Sequence, residues 1–301
     1  MTSFAGRMLV PFTPRATPSD PAEFAGLQWN RQRSATVWLV AGVAGAHLVG
    51  LQWPAVAYGL SGWVWIALIA LVAVAMLAAG FGQLVLLARA EQRRIPAATS
   101  IGALAGLGLL VSPVSGLLWM MFGMVHLALP VAAMALGIAL LAFDPGMRAA
   151  APRPVAGTLL GAGTAALIVG AGVLDSLVLL PMALAPGVPL AELYAQLSAA
   201  REDGGLWLPL AWAGLWLVGI VLLALGLLRN RRSQRGAAGT LLAAGVAAVF
   251  ALPIAQFSIG MGVADTLATR GGMSMAFPAI ALVATLLAAL ASALLIGAGR
   301  R

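Results

Sequence analysis

The chain has 301 residues, 62% of them hydrophobic and only 9% charged, with a mean hydropathy of +1.01. Soluble domains are nearer half apolar and a quarter charged, so this composition excludes one and predicts an all-α integral membrane protein. The absence of cysteine rules out disulfides, thiolate metal sites and cysteine nucleophiles together. The formal net charge is +8, and every basic side chain is an arginine in a short segment beside an apolar run. That is the positive-inside pattern of a membrane protein, and no nucleic-acid partner is expected from it.

Residues 1–34 mix Pro11, Pro14, Pro18 and Pro21 with Arg7, Arg15, Arg31 and Arg33, and read as a cytoplasmic N-terminal arm. The first apolar run starts near Ala35, is too long for a signal-peptide core and lacks a small-residue cleavage site after it. From there, 35–301 reads as a single transmembrane domain. A hydrocarbon core ~30 Å thick needs about 20 apolar residues per helix. Eight stretches meet that need, at about 35–55, 62–88, 97–113, 117–143, 155–183, 206–228, 237–260 and 274–298. The third and fourth are joined by Ser112-Pro113-Val114-Ser115-Gly116, a turn sequence that predicts a tight hairpin.

Eight spans place both termini on one side. With that side cytoplasmic, fifteen arginines lie inside and two, Arg201 and Arg270, outside. The expected location is a bacterial inner membrane, with both termini cytoplasmic. Only one outer loop is long. Its segment 189–201 puts Leu190, Leu193, Tyr194 and Leu197 on one helical face, which predicts an amphipathic helix capping the bundle.

The two halves also echo each other. Residues 87–99 resemble 227–239, and GMVHLALP at 123–130 resembles GMSMAFP at 272–278. A four-plus-four parallel pseudo-repeat would relate them. Pro130 and Pro278 then correspond, each withholding a helical hydrogen bond from the carbonyl four residues earlier, at His126 and Ser274.

Three ionisable side chains fall at one depth inside predicted spans. His47 and His126 each lie about nine residues from an outer span end, roughly 13 Å deep at 1.5 Å per residue. Asp175 is the one acid placed inside a span, at a similar depth. The two histidines could ligate a haem b iron axially, or His126, Met124 and Asp175 could hold a copper ion, since imidazole and thioether suit Cu(I). No bound cofactor is the expectation favoured over either, with each histidine bonded to a neighbouring carbonyl. A carboxylate at this depth could instead relay protons or line a solute path, with Gln256, Asp265 and Arg270 near the outer end of the seventh span as further members. The glycine pairs at 161–163 and 170–172 follow no strand and so fail as nucleotide loops; Gly157 and Gly161 read as a close helix-packing pair.

Eight helices in a four-plus-four arrangement, with histidines towards the outer face, are similar to the haem A synthase type. That family uses more histidines than the two present here, so the resemblance implies at most one haem, between His47 and His126. Val263-Ala264-Asp265-Thr266 resembles the start of a haem-bearing helix in haem–copper oxidase subunit I, with Ser274 and Met275 standing where histidines would come next.

Three functions fit these features. The favoured one is an accessory or structural subunit of a larger membrane complex, respiratory or redox in character, with other membrane subunits as partners and no catalysis of its own. The second is a haem- or metal-binding membrane redox or assembly protein using His47 and His126. The third is a small-solute or proton-coupled transporter using Asp175.

Overall fold

The computed structural model describes residues 21–52, 59–91, 96–112, 154–230, 233–269, 272–274 and 276–298. These are almost entirely helical, with no strand among the described residues. In chain order the helices are α1 (Pro21–Leu51), α2 (Leu60–Glu91), α3 (Pro96–Val111), α4 (Val155–Leu184), α5 (Leu190–Ala199), α6 (Trp207–Arg229), α7 (Gln234–Leu267) and α8 (Ala276–Ala298). A 3₁₀ turn, Asp203–Leu206, leads into α6.

Six helices carry segments long and apolar enough to cross a membrane: Arg31–Leu51, Leu60–Ala88, Val155–Leu184, Trp207–Arg229, Gln234–Leu267 and Ala276–Ala298. Two of the eight expected spans are not among them. α3 has 16 described residues, about 24 Å at 1.5 Å per residue, and the residues flanking 96–112 on both sides lie outside the described ones. The expected span at 117–143 lies outside the described residues, as do His126, Met124, Pro130 and Arg270.

α7 is the axis of the bundle. Of its most apolar window 78% is buried, against 22% for α2 and for α6, whose leucines and valines face outwards. It packs against α4, α6 and α8, while α1 packs against α2, α3 and α8. α8 therefore joins the two groups, and Phe250 of α7, Leu48 of α1 and Ala284 of α8 share one core cluster.

Close approach depends on missing side chains. A Cβ on Gly157 would lie 2.1 Å from the backbone oxygen of Gln234, and one on Gly161 would lie 3.0 Å from that of Ala238. The Gly157 amide also donates to Gln234 Oε1 at 2.6 Å, so the N-terminal ends of α4 and α7 are in backbone contact. α1 and α2 interlock reciprocally: a Cβ on Gly42 would meet Leu77 Cγ at 2.7 Å, and one on Gly80 would meet Leu39 Cγ at the same distance. Small residues are the means by which helices pack in lipid, where no hydrophobic force presses them together.

α4 is not regular throughout. Residues Asp175–Leu179 form a π-turn, in which the Leu180 amide donates to the carbonyl of Asp175 five residues back. Pro181 comes immediately after and has no N–H to offer the carbonyl of Leu177. The Tyr194 hydroxyl of α5 donates to that carbonyl instead. α5 also buries Leu193 and Leu197 against Leu180, Leu184, Ile259 and Val263, and so covers the end of the bundle where α4 and α7 finish.

Candidate functional site

The π-turn brings Asp175 into the space between α4, α7 and α8. Inserting one residue into a helical turn rotates the remainder of the helix by roughly a third of a turn, and such bulges recur at functional sites. The Asp175 side chain is fully buried. Gln256 of α7 donates from Nε2 to Asp175 Oδ2 at 2.7 Å. The Ser274 hydroxyl donates to Oδ1. Ser274 Oγ in turn accepts from the amides of Ala276 at 3.2 Å and Phe277 at 3.1 Å, at the N-terminus of α8. A chain of donors thus runs from the first turn of α8, whose dipole end is positive, through one hydroxyl to the carboxylate.

This arrangement corrects the sequence reading of Ser274. A span starting at 274 predicts a serine carbonyl freed by Pro278 inside a helix. In the structure α8 begins at Ala276, so Pro278 occupies its first turn, where a missing N–H costs nothing. Ser274 works through its hydroxyl and not its carbonyl. A serine two residues before a helix with proline in its first turn is a start signal that could have revealed this.

Of the residues expected on a transport path, Asp175 and Gln256 meet. Asp265 is exposed on the surface near the C-terminal end of α7, away from them, and Arg270 lies outside the described residues. His47 is buried and stacks on Phe250 of α7, ring centroids 5.7 Å apart and planes 21° from parallel. Phe250 and Gln256 are six residues apart on α7, which is about 9 Å along the axis and about 120° around it. His47 and Asp175 therefore seat against different faces and levels of α7, although the sequence puts them at one depth. The expected pairing of His47 with His126, and the set His126, Met124 and Asp175, rest on residues outside the described ones. Among the described residues no group of three His, Asp or Glu side chains converges as a metal site would require.

Gln256 has a second exposure. It lines a cleft of about 180 Å³ together with Leu180, Pro253, Phe257, Met261, Met273 and Phe277. Asp175, to which Gln256 donates, is not itself among the residues that line the cleft. Pro253 sits one turn before Gln256 inside α7 and removes the amide that would bond the Val249 carbonyl, which leaves this turn less tied than its neighbours.

Compared with known proteins, the chain matches no protein-family model, no curated protein and no solved structure. The guide to function is the site itself.

Proposed function

We propose that this chain is a membrane transporter whose coupling group is Asp175, moving a small solute with exchange of a proton or cation at that carboxylate. The observation that carries the reading is a fully buried carboxylate within a membrane-length helix, held by two neutral donors. No ion pair to Asp175 occurs among the described residues. Hydrogen bonds from an amide and a hydroxyl lower the cost of that charge without cancelling it, so neutrality requires a proton or a movable counter-ion. A helix broken by a π-turn, another carrying an internal proline and a helix N-terminus all converge there, as at the substrate sites of many secondary transporters.

An accessory-subunit role rests on a shortage of buried polar groups. The convergence of Asp175, Gln256 and Ser274 beside a cleft favours transport over it. For the bilayer itself we propose eight spans in a bacterial inner membrane with both termini cytoplasmic. Support comes from the fifteen-to-two arginine distribution and from six membrane-length helices among the described residues.

The test is flux in proteoliposomes loaded with a pH-sensitive dye and challenged with a panel of small cationic, anionic and neutral solutes. Solute-driven proton movement lost in Asp175→Asn and kept in Asp203→Asn, an exposed control, is the expected result. Equal flux in the two variants, or none above protein-free vesicles for any solute, would overturn the reading.

A further inference from the structure

The cleft beside Gln256 has a chemical character of its own. Its walls are aromatic and thioether-rich, with Phe257 and Phe277 on one hand and Met261 and Met273 on the other. Phe257 and Met261 are exposed, so the cleft opens at the surface of the bundle, whereas Phe277 is wholly buried at its inner wall. At about 180 Å³ it is smaller than a drug-sized site of ~300–1,000 Å³ and suits a ligand with a single ring or a few branched carbons.

Gln256 is the polar side chain among the described residues that line the cleft. Gln256 commits Nε2 to Asp175, which leaves Oε1 as the atom it can offer to the cleft. An amide whose N–H bonds a carboxylate is polarised, and its oxygen becomes a stronger acceptor. The ligand this calls for has an N–H donor, a positive charge to answer the carboxylate that the amide bonds, and an apolar body. Aromatic faces and thioethers tolerate such a body and attract the cation as well.

We infer that the cleft binds a small organic ammonium ion, donating its N–H to Gln256 Oε1, resting its apolar body on Phe257 and Met261, and balanced in charge by Asp175 through the Gln256 amide. This rests on the transport reading for Asp175 and gives it a substrate class. From hydrogen-bond lengths the ammonium nitrogen would lie about 6 Å from the carboxylate. With an effective dielectric constant of about 20, that attraction is on the order of a hundredfold in affinity. The hydrogen bond to Gln256 adds about tenfold.

The experiment titrates benzylammonium and its neutral counterpart benzyl alcohol into the purified full-length protein in detergent, followed calorimetrically. Benzylammonium is expected to bind saturably, and benzyl alcohol on the order of a hundredfold more weakly. Asp175→Asn should abolish the difference between the two probes. Gln256→Met, which keeps the volume and removes the acceptor, should weaken benzylammonium about tenfold. Gln256→Met carries the test by itself if Asp175→Asn does not fold, as judged by its elution profile and melting curve. Equal affinity for the two probes, unchanged benzylammonium binding in folded Gln256→Met or Asp175→Asn, or no saturable binding would each overturn the inference. Asp175-dependent flux of anionic or neutral solutes without benzylammonium binding would overturn it and leave transport standing. Benzylammonium binding without flux of any solute would do the reverse.

Discussion

Single atoms decide how the polar centre is held. The carbonyl of Leu177 loses its ordinary helical donor because Pro181 has none, and the Tyr194 hydroxyl fills the gap from another helix. Tyr194→Phe keeps the ring and removes the bond, leaving that carbonyl without its partner. The expected loss of stability is about 1–2 kcal/mol, read as a lower melting temperature and faster proteolysis around 185–203. Burial holds the Tyr194 phenol above the usual tyrosine range. Its contribution is therefore complete below the unfolded-state pKa of about 10 and is lost as pH rises through the higher folded value. Alkaline titration should release α5 in the wild type and change Tyr194→Phe less over the same range; identical curves would show that the hydroxyl does not carry the effect. Ser274 is the second such residue, since its hydroxyl serves two amides and one carboxylate at once. Ser274→Ala should cost about 1–3 kcal/mol, while Ser274→Thr, which keeps the hydroxyl, should recover most of it in the same melting assay.

At the scale of elements, the fold depends on where backbones touch. The α4–α7 contact at Gly157 has no room even for a methyl group. Gly157→Leu should separate the two helices and destabilise by about 3 kcal/mol or more, because the obstacle is backbone and not a side chain that can turn aside. Gly163→Leu, further along α4 and open to its surroundings, is the control expected to have little effect. Comparable losses in detergent stability for both would show that the crossing does not depend on Gly157. Sequence spacing was enough to mark Gly157 and Gly161 as a packing pair, since small residues four apart share a helix face. It could not name the partner helix, which is distant in sequence. The π-turn was equally hidden, because Asp175–Leu179 differs little in composition from the rest of α4; only Pro181 hinted that regular bonding fails there.

For the whole molecule, the proposed orientation makes a labelling prediction that the natural absence of cysteine renders simple. Arg201→Cys should react with a membrane-impermeant maleimide from outside intact cells, and Arg235→Cys only after the membrane is opened. The opposite pattern would invert the topology, and reaction of both from outside would break the span count. Six helices long and apolar enough to cross a membrane were legible in the chain, because a helix that crosses lipid must be about 20 apolar residues long wherever it packs. Asp175 was legible for a related reason, since a lone acid in a run of leucine and alanine is costly wherever it lies. Gln256 was marked with Asp265 and Arg270 as near neighbours in sequence, yet Gln256 turns inwards to Asp175 while Asp265 faces out.

Hydropathy and arginine placement thus determined how the chain is divided and which of its residues are out of place in lipid. These are properties of each segment against its solvent and need no knowledge of the others. Tertiary structure alone decided that Gln256 and Ser274, 81 and 99 residues further along, are the donors that Asp175 meets. It decided also that His47, expected at the same depth, stacks on Phe250 instead. Depth comes from counting residues along one helix. Contact depends on the rotation of each helix about its axis, which is set by glycine-lined crossings, by a π-turn and by the point where α8 begins.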